Sequence, residues 1–345
     1  MVESDHDSFM HRCFELAKRG GKYVKSNPQV GAVIVYNGEI IGEGWHQNFG
    51  KAHAEINAIN SVSPNSKHLL KDASIYVSLE PCNSTGKTGP CSDAILKAGI
   101  NQVIVSCLDP TIKGKSLEYL QSKGVEIQSG ICESEGQELL KPFVANHLEK
   151  RPYTILKYAQ SSDFYMGRTD QQVWLSNTFT KVLTHKWRSE CDGILIGVNT
   201  LNTDNPKLTT REYPGENPRP IIIDPNYRGN LDSYLYSNSA EKPIVVTKVP
   251  TNNQQLADCI FDIEKQELSE LMTILYSEFD ISRLMIEGGA TTLSHFIKNG
   301  LWDECRQITS NKQLEKGLKA PFLQGHRGKS INLDSDKIQY IYNRG

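Results

Sequence analysis

The sequence predicts an α/β protein with two domains, and three observations lead to this expectation. The chain has 345 residues, more than a single domain usually contains. Short apolar runs typical of buried strands alternate with amphipathic segments of helical period in both halves. A helical pattern over 132–150 ends at Arg151-Pro152, and a strand pattern begins at Tyr153, because proline stops a helix. We therefore assign the domains to residues 1–146 and 147–345.

Composition and charge argue against several classes of protein. The formal net charge of −2 gives no electrostatic reason to expect a nucleic-acid partner. The N-terminus is acidic and polar, unlike a signal peptide, and no apolar run approaches the roughly 18 residues that a membrane helix needs. Eight cysteines in a chain of this length do not form a disulfide scaffold. We therefore expect a soluble, cytoplasmic protein with no membrane or nucleic-acid partner.

The first half of the chain alternates predicted strands with predicted helices. Asn37-Gly38 is a signal for a two-residue hairpin turn between two apolar strands. Gly99 follows an amphipathic segment and predicts the end of a helix there. The pattern predicts helices at 7–19, 53–61, 92–98 and 132–150, and strands at 30–36, 39–45, 73–79, 102–106 and 125–127.

Three potential metal ligands and one carboxylate follow strands and turns in this half. His53 and Glu55 belong to the triplet H-A-E, Cys82 follows Pro81, and eight residues separate Cys82 from Cys91. One imidazole, two thiolates and an open fourth position form the ligand set of a catalytic zinc site. Zinc lowers the pKa of a bound water to about 7, and Glu55 is the candidate proton shuttle. The sequence therefore predicts a hydrolytic zinc centre.

The proposed zinc site requires its residues to lie at the starts of helices. Residues two apart on a regular helix point in roughly opposite directions, so His53 and Glu55 can share a site only at a first helical turn. We expect Cys82 and Cys91 at helix starts too, where the partial positive charge favours thiolate. One alternative is that these side chains are unrelated core or loop residues. Another is a structural zinc site, which would need a fourth protein ligand, and His46 is the candidate for it.

The second half repeats the alternation with strands and a helix of its own. Glu287-Gly288-Gly289 stands where a strand meets a helix, whose first N–H groups could hold a phosphate. The motif Thr200-x3-Asp204-x-Pro206 is predicted to lie in a loop after a strand. Neither motif is specific alone, and the sequence has no G-x-G-x-x-G for an ordinary Rossmann site. The pattern predicts strands at 153–159, 191–200, 219–224, 242–247, 282–289 and 338–341, and a helix at 290–299.

Three runs of the first half match one known pattern. They are Asn27-Pro28-x-Val30-Gly31-Ala32-Val33, His53-Ala54-Glu55, and Leu79-Glu80-Pro81-Cys82-x8-Cys91. Together they resemble the deaminase domain of the bifunctional riboflavin-biosynthesis deaminase/reductase family, a longer form of the nucleobase-deaminase signature. The resemblance implies a cytidine-deaminase-like three-layer α/β/α domain. It implies one Zn²⁺ held by His53, Cys82 and Cys91, a catalytic Glu55, and substrate contacts from Asn27, His46, Lys87 and Thr88.

The second half carries the other part of this pattern. Its matching pieces are Arg151-Pro152-Tyr153, Lys157, Trp174, Arg188, Gly197-x2-Thr200-x3-Asp204-x-Pro206, Leu208-Thr209-x-Arg211 and Glu287-Gly288-Gly289. They resemble the reductase domain of the same family, a dihydrofolate-reductase-like α/β domain that uses NADPH. The resemblance implies NADPH contacts from Gln160, Trp174, Thr200, Asp204, Gly288 and Gly289. It implies substrate contacts from Arg188, Leu208, Arg211 and Glu287, with both arginines suited to phosphate and Lys157 as a candidate proton donor.

These resemblances predict a two-step enzyme of riboflavin biosynthesis. Zinc-dependent hydrolytic deamination of 2,5-diamino-6-ribosylamino-4(3H)-pyrimidinone 5′-phosphate would precede NADPH-dependent reduction of the ribosyl group to a ribityl chain. The chain departs from the family pattern at 161–167 and after Glu304. A deaminase whose second domain is a non-catalytic binding or structural module therefore stays open as the alternative. We expect a homo-oligomer, either a dimer or a tetramer, that acts on a small molecule.

Overall fold

A computed structural model describes residues 5–83, 89–168, 171 and 173–343 of the chain. The chain divides into two compact units, Met1–Glu149 and Lys150–Gly345. In the described residues no helix combines the length and the apolar character needed to cross a bilayer.

The first unit is built on a five-stranded sheet in the order β2-β1-β3-β4-β5. β1 pairs antiparallel with β2 and β3, whereas β3, β4 and β5 are parallel. Asn37 and Gly38 have φ of 50° and 80°, the left-handed backbone of a type I′ hairpin turn. The strands are β1 (Gly31–Tyr36), β2 (Glu39–Trp45), β3 (Ser74–Leu79), β4 (Gln102–Cys107) and β5 (Glu126–Ser129).

Helices cover both faces of this sheet. Neighbouring residues of one strand belong to different apolar clusters: Ile34 packs in the cluster that includes Ala58 of α2, and Val33 packs with Met10 of α1. This alternation follows from the two-residue period of a strand, and it makes the unit a three-layer α/β/α sandwich. The helices are α1 (Asp5–Lys18), α2 (Ala54–Ser61), α3 (Cys91–Ala98), α4 (Lys115–Ser122) and α5 (Glu133–His147), with 3-10 helices at Gly21–Val24 and Pro64–Asp72.

The second unit contains a nine-stranded sheet in the order β11-β10-β9-β8-β12-β6-β13-β16-β15. The strands from β11 to β13 in this order are parallel, and β16 and β15 close the edge as an antiparallel pair. The strands are β6 (Tyr153–Gln160), β8 (Gly193–Gly197), β9 (Arg219–Ile223), β10 (Ile244–Thr247), β11 (Ala257–Ile260), β12 (Arg283–Ile286), β13 (Glu304–Ser310), β15 (His326–Leu333) and β16 (Asp336–Tyr342). A separate ribbon pairs β7 (Tyr165–Gly167) with β14 (Leu318–Lys319).

Five helices belong to this unit in its described part. They are α6 (Thr178–Ser189), α7 (Val198–Asp204), α8 (Tyr234–Asn238), α9 (Leu268–Ser277) and α10 (Ala290–Lys298). α10 begins at the carboxyl end of β12 and α7 at that of β8, and these two strands are neighbours in the sheet. Parallel strands present their carboxyl ends at one edge, where ligands of α/β sheets usually bind.

The predicted strand at 191–200 is too long. β8 ends at Gly197, and α7 runs from Val198 to Asp204, so Thr200 and Asp204 lie on a helix and not in the predicted loop. Val198 and Leu201 are both buried and stand three residues apart, which is the spacing of one helix face. Their burial outweighs the strand preference of this apolar segment.

The two segments that depart from the family pattern contact each other. Besides the pairing of β7 with β14, the Asp163 carboxylate accepts the backbone N–H groups of Leu314 at 3.1 Å and Glu315 at 2.7 Å. The backbone N–H of Ser162 donates to the carbonyl of Lys312 at 2.8 Å. The departures at 161–167 and after 304 therefore form one hydrogen-bonded substructure.

Candidate active sites

His53, Cys82 and Cys91 converge in the first unit. His53 has extended backbone directly before α2, Cys82 follows β3 by three residues, and Cys91 is the first residue of α3. His53 Nδ1 lies 3.3 Å from Cys91 Sγ and 3.5 Å from Cys82 Sγ. The three potential ligand atoms all lie within 4.8 Å of one another. One nitrogen and two sulfurs this close together can bind a tetrahedral metal ion.

The prediction that Cys82 starts a helix is wrong, since residues 80–83 are not helical. Cys82 instead contacts the N-terminus of α3, because the backbone N–H of Cys91 donates to Cys82 Sγ at 3.4 Å. Hence the N-terminus of α3 stabilises negative charge on both sulfurs, although the two cysteines do not each begin a helix.

The two thiols differ in how readily they lose a proton. A hydrogen bond from the Cys91 thiol, together with His53, lowers the pKa of Cys82 to about 4. The same hydrogen bond, together with burial, raises the pKa of Cys91 far above its usual value. The pair therefore releases one proton readily and keeps the second. A divalent metal ion would displace that second proton, since metal-bound cysteine is thiolate, so the donor set fits zinc.

Glu55 lies in the first turn of α2 with 3% of its surface exposed. Burial raises the pKa of Glu55 to about 7. The described metal-ligand cluster consists of His53, Cys82 and Cys91, so the Glu55 carboxylate is not among its members. A buried carboxylate beside a metal site, but outside the ligand set, is suited to proton transfer.

Asn27 and His46 lie beside this cluster. The Asn27 side-chain amide donates to His46 Nε2 at 3.1 Å, and His46 Nδ1 donates to the carbonyl of Ala52 at 3.1 Å. Burial lowers the pKa of His46, and its ring packs against the His53 ring with the centroids 5.3 Å apart. Both ring nitrogens of His46 are thus engaged, and His46 is not part of the described ligand cluster. Lys87 and Thr88 lie outside the described residues.

Glu80 is a residue whose role the sequence analysis missed. Its buried carboxylate accepts the backbone N–H groups of Asp109 at 3.1 Å, Gly114 at 2.8 Å and Ser116 at 3.1 Å. The Ser116 hydroxyl donates to it as well, at 2.8 Å. Glu80 therefore ties the loop after β4 to the segment that carries Cys82. An acidic residue directly before Pro81-Cys82 is visible in the sequence and could have indicated this role. Its hydrogen-bond donors, however, lie about 30 residues away in the chain.

We expect Glu80→Gln to destabilise the protein by about 2–3 kcal/mol, because an amide cannot replace a carboxylate that accepts several backbone hydrogen bonds. Denaturant unfolding would measure this change. Glu39→Gln is the control, since Glu39 is exposed and its replacement should change stability by less than about 0.5 kcal/mol. Equal stability of the two variants would contradict the role given to Glu80.

A buried ion cluster forms the centre of the second unit's candidate site. Arg188 on α6 donates from Nε and Nη2 to the two oxygens of Glu287, each at 2.8 Å. Lys157 on β6 brings its Nζ to 3.7 Å from Glu287 Oε2. Burial opposes ionisation of Glu287, but Arg188 and Lys157 outweigh it and lower its pKa to about 2. Burial lowers the pKa of Lys157, and Glu287 partly offsets that effect.

The glycines of this unit allow a close approach of two strand ends. A Cβ added to Gly288, which follows β12, would lie 3.2 Å from the backbone nitrogen of Gly197 at the end of β8. One added to Gly197 would lie 2.7 Å from Thr292 Oγ1 of α10. The Gly289 N–H donates to Thr200 Oγ1 at 3.1 Å. Gly289 is the residue directly before α10 and has no side chain to cap it. The first N–H groups of that helix are therefore suited to a phosphate group of a cofactor.

The other predicted site residues of this unit lie on several elements. Gln160 is buried and donates to Thr309 Oγ1 at 3.2 Å. Trp174 is 72% exposed, and its carbonyl accepts a hydrogen bond from Lys312. Leu208 is buried with a φ of 52°. Asp204 and Arg211 are exposed.

His185 is a further residue that the sequence analysis did not single out. It is buried on α6, and its Nδ1 accepts the backbone N–H of Glu212 at 3.3 Å. Burial, followed by the charges of Arg188 and Arg211, lowers the pKa of His185 to about 4, so the ring is neutral near pH 7. His185 and Arg188 stand three residues apart on α6, the spacing of neighbours on one helix face, but the sequence analysis predicts no helix in this segment.

Comparison with protein families matches both units. The family model of the cytidine and deoxycytidylate deaminase zinc-binding region matches residues 3–107, and the model of the RibD C-terminal domain matches residues 152–339. Riboflavin biosynthesis protein RibD of Aquifex aeolicus is 35% identical over 325 residues, which cover 92% of this chain and 90% of that protein. RibD of Escherichia coli is 30% identical over 318 residues, covering 86% and 85%.

Solved structures show the same similarity over the whole chain. A diaminohydroxyphosphoribosylaminopyrimidine deaminase/5-amino-6-(5-phosphoribosylamino)uracil reductase from Thermotoga maritima superposes with a TM-score of 0.88 at 30% identity, covering 99% of both chains. Acinetobacter baumannii RibD gives a TM-score of 0.86 at 28% identity, also covering 99% of both. The predicted fold class is thereby confirmed for both halves of the chain.

Proposed function

The chain belongs to the RibD family, and from that premise we propose how its two halves divide the chemistry. The protein is a bifunctional enzyme of riboflavin biosynthesis, a zinc-dependent deaminase and an NADPH-dependent reductase. We assign deamination to residues 1–146 and reduction to residues 147–345. A deaminase with a non-catalytic second half is not favoured, because the RibD C-terminal domain model matches residues 152–339. The substrate is a small phosphorylated pyrimidine, 2,5-diamino-6-ribosylamino-4(3H)-pyrimidinone 5′-phosphate.

The observation that carries this proposal is the convergence of His53, Cys82 and Cys91 within 4.8 Å, beside the buried Glu55. These three residues would hold the zinc. When bound, zinc supplies an activated water as the nucleophile. The Glu55 carboxylate accepts a proton from that water and transfers it to the amine nitrogen on the attacked ring carbon. The C–N bond breaks and the nitrogen leaves as ammonia. The ring carbon becomes a carbonyl as the proton of its new hydroxyl passes to the adjacent ring nitrogen.

Asn27 and His46 are proposed to orient the pyrimidine for this step. They are hydrogen-bonded to each other at 3.1 Å, and the His46 ring packs against His53, so both are close to the proposed metal ligands. Lys87 and Thr88 are proposed as further substrate contacts on the strength of the family resemblance. A cationic lysine suits a phosphorylated substrate.

The ion cluster of the second unit supports the reduction. When bound, NADPH would supply a hydride to C1′ of the ribosyl group. The bond between C1′ and the ring oxygen breaks, that oxygen takes up a proton, and the open ribityl chain results. Lys157 is the proposed proton donor. The Glu287 carboxylate at 3.7 Å from its Nζ favours the charged ammonium, whereas burial disfavours it, and an amine poised between these effects can release a proton.

The cofactor and substrate contacts of this unit remain proposals that follow the family resemblance. The first turn of α10, with Gly288 and Gly289 before it, supports a phosphate contact. The proposed NADPH contacts are Gln160, Trp174, Thr200, Asp204, Gly288 and Gly289, and the proposed substrate contacts are Arg188, Leu208, Arg211 and Glu287.

Removing one proposed ligand tests the zinc centre. We expect Cys82→Ser to lower the bound zinc from one ion per chain to a small fraction, because serine oxygen is a poor zinc ligand at neutral pH, and to abolish ammonia release. Metal analysis and an ammonia assay would measure both effects, and NADPH consumption on the deaminated pyrimidine should persist. Cys132→Ser is the control, because Cys132 lies outside the described ligand cluster. Full zinc content in the Cys82 variant would disprove the assignment.

The cellular location and the assembly are proposed on separate grounds. All eight cysteines are free, which supports a reducing compartment such as the cytoplasm. Large exposed apolar side chains on the second unit, including Phe164 at 65% and Phe322 at 80%, support a homo-oligomer, either a dimer or a tetramer. Sedimentation equilibrium would measure the assembly directly.

A further inference from the structure

The two cysteines of the proposed zinc centre are far apart in sequence for a pair of ligands to one metal ion. Eight residues separate Cys82 from Cys91, whereas two to four residues are typical between paired zinc cysteines. A tight turn brings two sulfurs together by its own covalent geometry, but the entropic cost of bringing two chain positions together rises with the number of residues between them. Other contacts must therefore hold these two cysteines close to each other.

Three hydrogen bonds join the segment of Cys82 to the first turn of α3. The backbone N–H of Cys91 donates to Cys82 Sγ at 3.4 Å, and the backbone N–H of Ser92 donates to the carbonyl of Cys82 at 3.2 Å. The Ser92 hydroxyl donates to Asn83 Oδ1 at 2.9 Å. The residues that directly follow the two cysteines are thus bonded to each other through their side chains, and we call Asn83 and Ser92 the 83–92 pair.

The two members of the 83–92 pair have different surroundings. Ser92 is the second residue of α3 and is fully buried, whereas Asn83 is exposed. A buried hydroxyl group is normally hydrogen-bonded, and the Ser92 hydroxyl has Asn83 Oδ1 as its acceptor. The buried serine therefore fixes the direction of an exposed side chain, and with it the chain directly after Cys82.

The other end of the Cys82 segment is fixed independently. The backbone N–H of Glu80 donates to the carbonyl of Cys107 at 3.0 Å, and the Glu80 carboxylate accepts backbone N–H groups from the loop of 109–116. Cys82 thus lies between contacts to β4 and its following loop on one side and contacts to α3 on the other. The contacts of Glu80 do not involve α3, so the position of Cys82 relative to Cys91 depends on the three bonds to the first turn of that helix.

We propose that Asn83 and Ser92 are positioning residues of the zinc centre, whose hydrogen bond keeps Cys82 and Cys91 at ligand distance across the eight-residue gap. This inference rests on the proposed zinc site and adds to it two residues that are not members of the described ligand cluster. The 83–92 pair acts through the separation of the two sulfurs. Residues that orient metal ligands in this way usually change metal affinity by about 10- to 100-fold when they are replaced.

The test measures zinc affinity by competition with a chromophoric chelator, which does not depend on turnover. We expect Ser92→Ala and Asn83→Ala each to raise the zinc dissociation constant about 10-fold. The visible absorption of the Co²⁺-substituted protein, which reports the arrangement of the metal ligands, should change in both variants. Ser106→Ala is the matched control, because the Ser106 hydroxyl is equally buried and donates to the carbonyl of Cys132 at 3.2 Å. This control should bind zinc and cobalt as the wild type does.

Two further variants separate positioning from loss of folding. Asn83→Asp keeps the acceptor for Ser92 and adds a negative charge near a divalent cation, so it should bind zinc at least as tightly as the wild type. The double variant of Ser92→Ala and Asn83→Ala should bind zinc less than about twofold more weakly than either single variant, since the two changes remove one interaction. Because Asn83 is exposed, its variants test the proposal even if Ser92→Ala fails to fold.

The outcomes distinguish this inference from the zinc site on which it rests. Wild-type zinc affinity in Asn83→Ala would overturn the proposal. Affinity losses that multiply in the double variant, or an Asn83→Asp protein that binds zinc as weakly as Asn83→Ala, would overturn it too. In each of these cases the wild-type protein still binds zinc, and the proposed metal centre stands. A wild-type protein that bound no zinc would instead refute the metal centre itself.

Discussion

Glu55→Gln is expected to lower the rate of ammonia release by about 100- to 10,000-fold, the range that a positioned acid–base group contributes. The amide has the size of the carboxylate, so the buried first turn of α2 should keep its packing. It cannot accept a proton from the attacking water. Steady-state ammonia release, measured with enzyme of known zinc content, would determine the effect.

Two measurements on the same preparation act as controls for this variant. Zinc content should stay at one ion per chain, because Glu55 is not among the three proposed ligands. NADPH-dependent reduction of the deaminated pyrimidine should also stay within about twofold of the wild-type rate, since we assign that step to residues 147–345. Ammonia release at the wild-type rate would show that Glu55 does not transfer the proton.

Glu287→Gln is expected to abolish reduction and to destabilise the protein by about 3–5 kcal/mol, the usual cost of removing one partner from a buried ion pair. Arg188 lies 2.8 Å and Lys157 3.7 Å from the Glu287 carboxylate, so the variant leaves two buried cations facing each other. Denaturant unfolding would measure the stability change, and NADPH consumption would measure the reduction. Ammonia release should persist at 25 °C.

The stability difference between wild type and Glu287→Gln should depend on pH in a defined direction. In the folded protein the pKa of Glu287 is about 2, below its usual value of 4.5. A carboxyl group with a lowered pKa contributes its stability above the unfolded pKa and loses it as the pH falls towards the folded pKa. The wild-type advantage should therefore be complete above about pH 5 and shrink between pH 4.5 and pH 2. An advantage that stays constant over this range would contradict the proposed ion cluster.

The two candidate sites differ in how far the sequence predicts them. His53, Glu55, Cys82 and Cys91 stand within 39 residues at strand ends and helix starts, and local periodicity places such ends at one edge of a sheet. Lys157, Arg188 and Glu287 are spread over 131 residues, and from composition alone each is a surface charge. Their association depends on the pairing of β6 with β12 and on the packing of α6, which involve contacts distant in sequence.

The local sequence pattern also led to two wrong predictions of secondary structure. The apolar run at 191–200 predicts a continuous strand, but Val198 and Leu201 are buried on one helix face, so the backbone coils into α7. The sequence predicts Cys82 at a helix start, but the Cys82 sulfur instead accepts the N–H of Cys91 from α3. Val198 and Leu201 are buried, but on a helix instead of a strand. Cys82 contacts a helix N-terminus, but that of α3 and not of a helix that it begins itself.

The sequence pattern is sufficient to predict the α/β class, the alternation of most strands and helices, and the residue types of a hydrolytic zinc centre, because these depend on short-range periodicity and spacing. Which charged side chains pair with each other depends on the folded chain. It joined Glu80 to the loop of 109–116, and it closed Arg188 onto Glu287 and Thr209. A buried charge must find its partner wherever the chain brings one within hydrogen-bond distance, and no local pattern in the sequence records that distance.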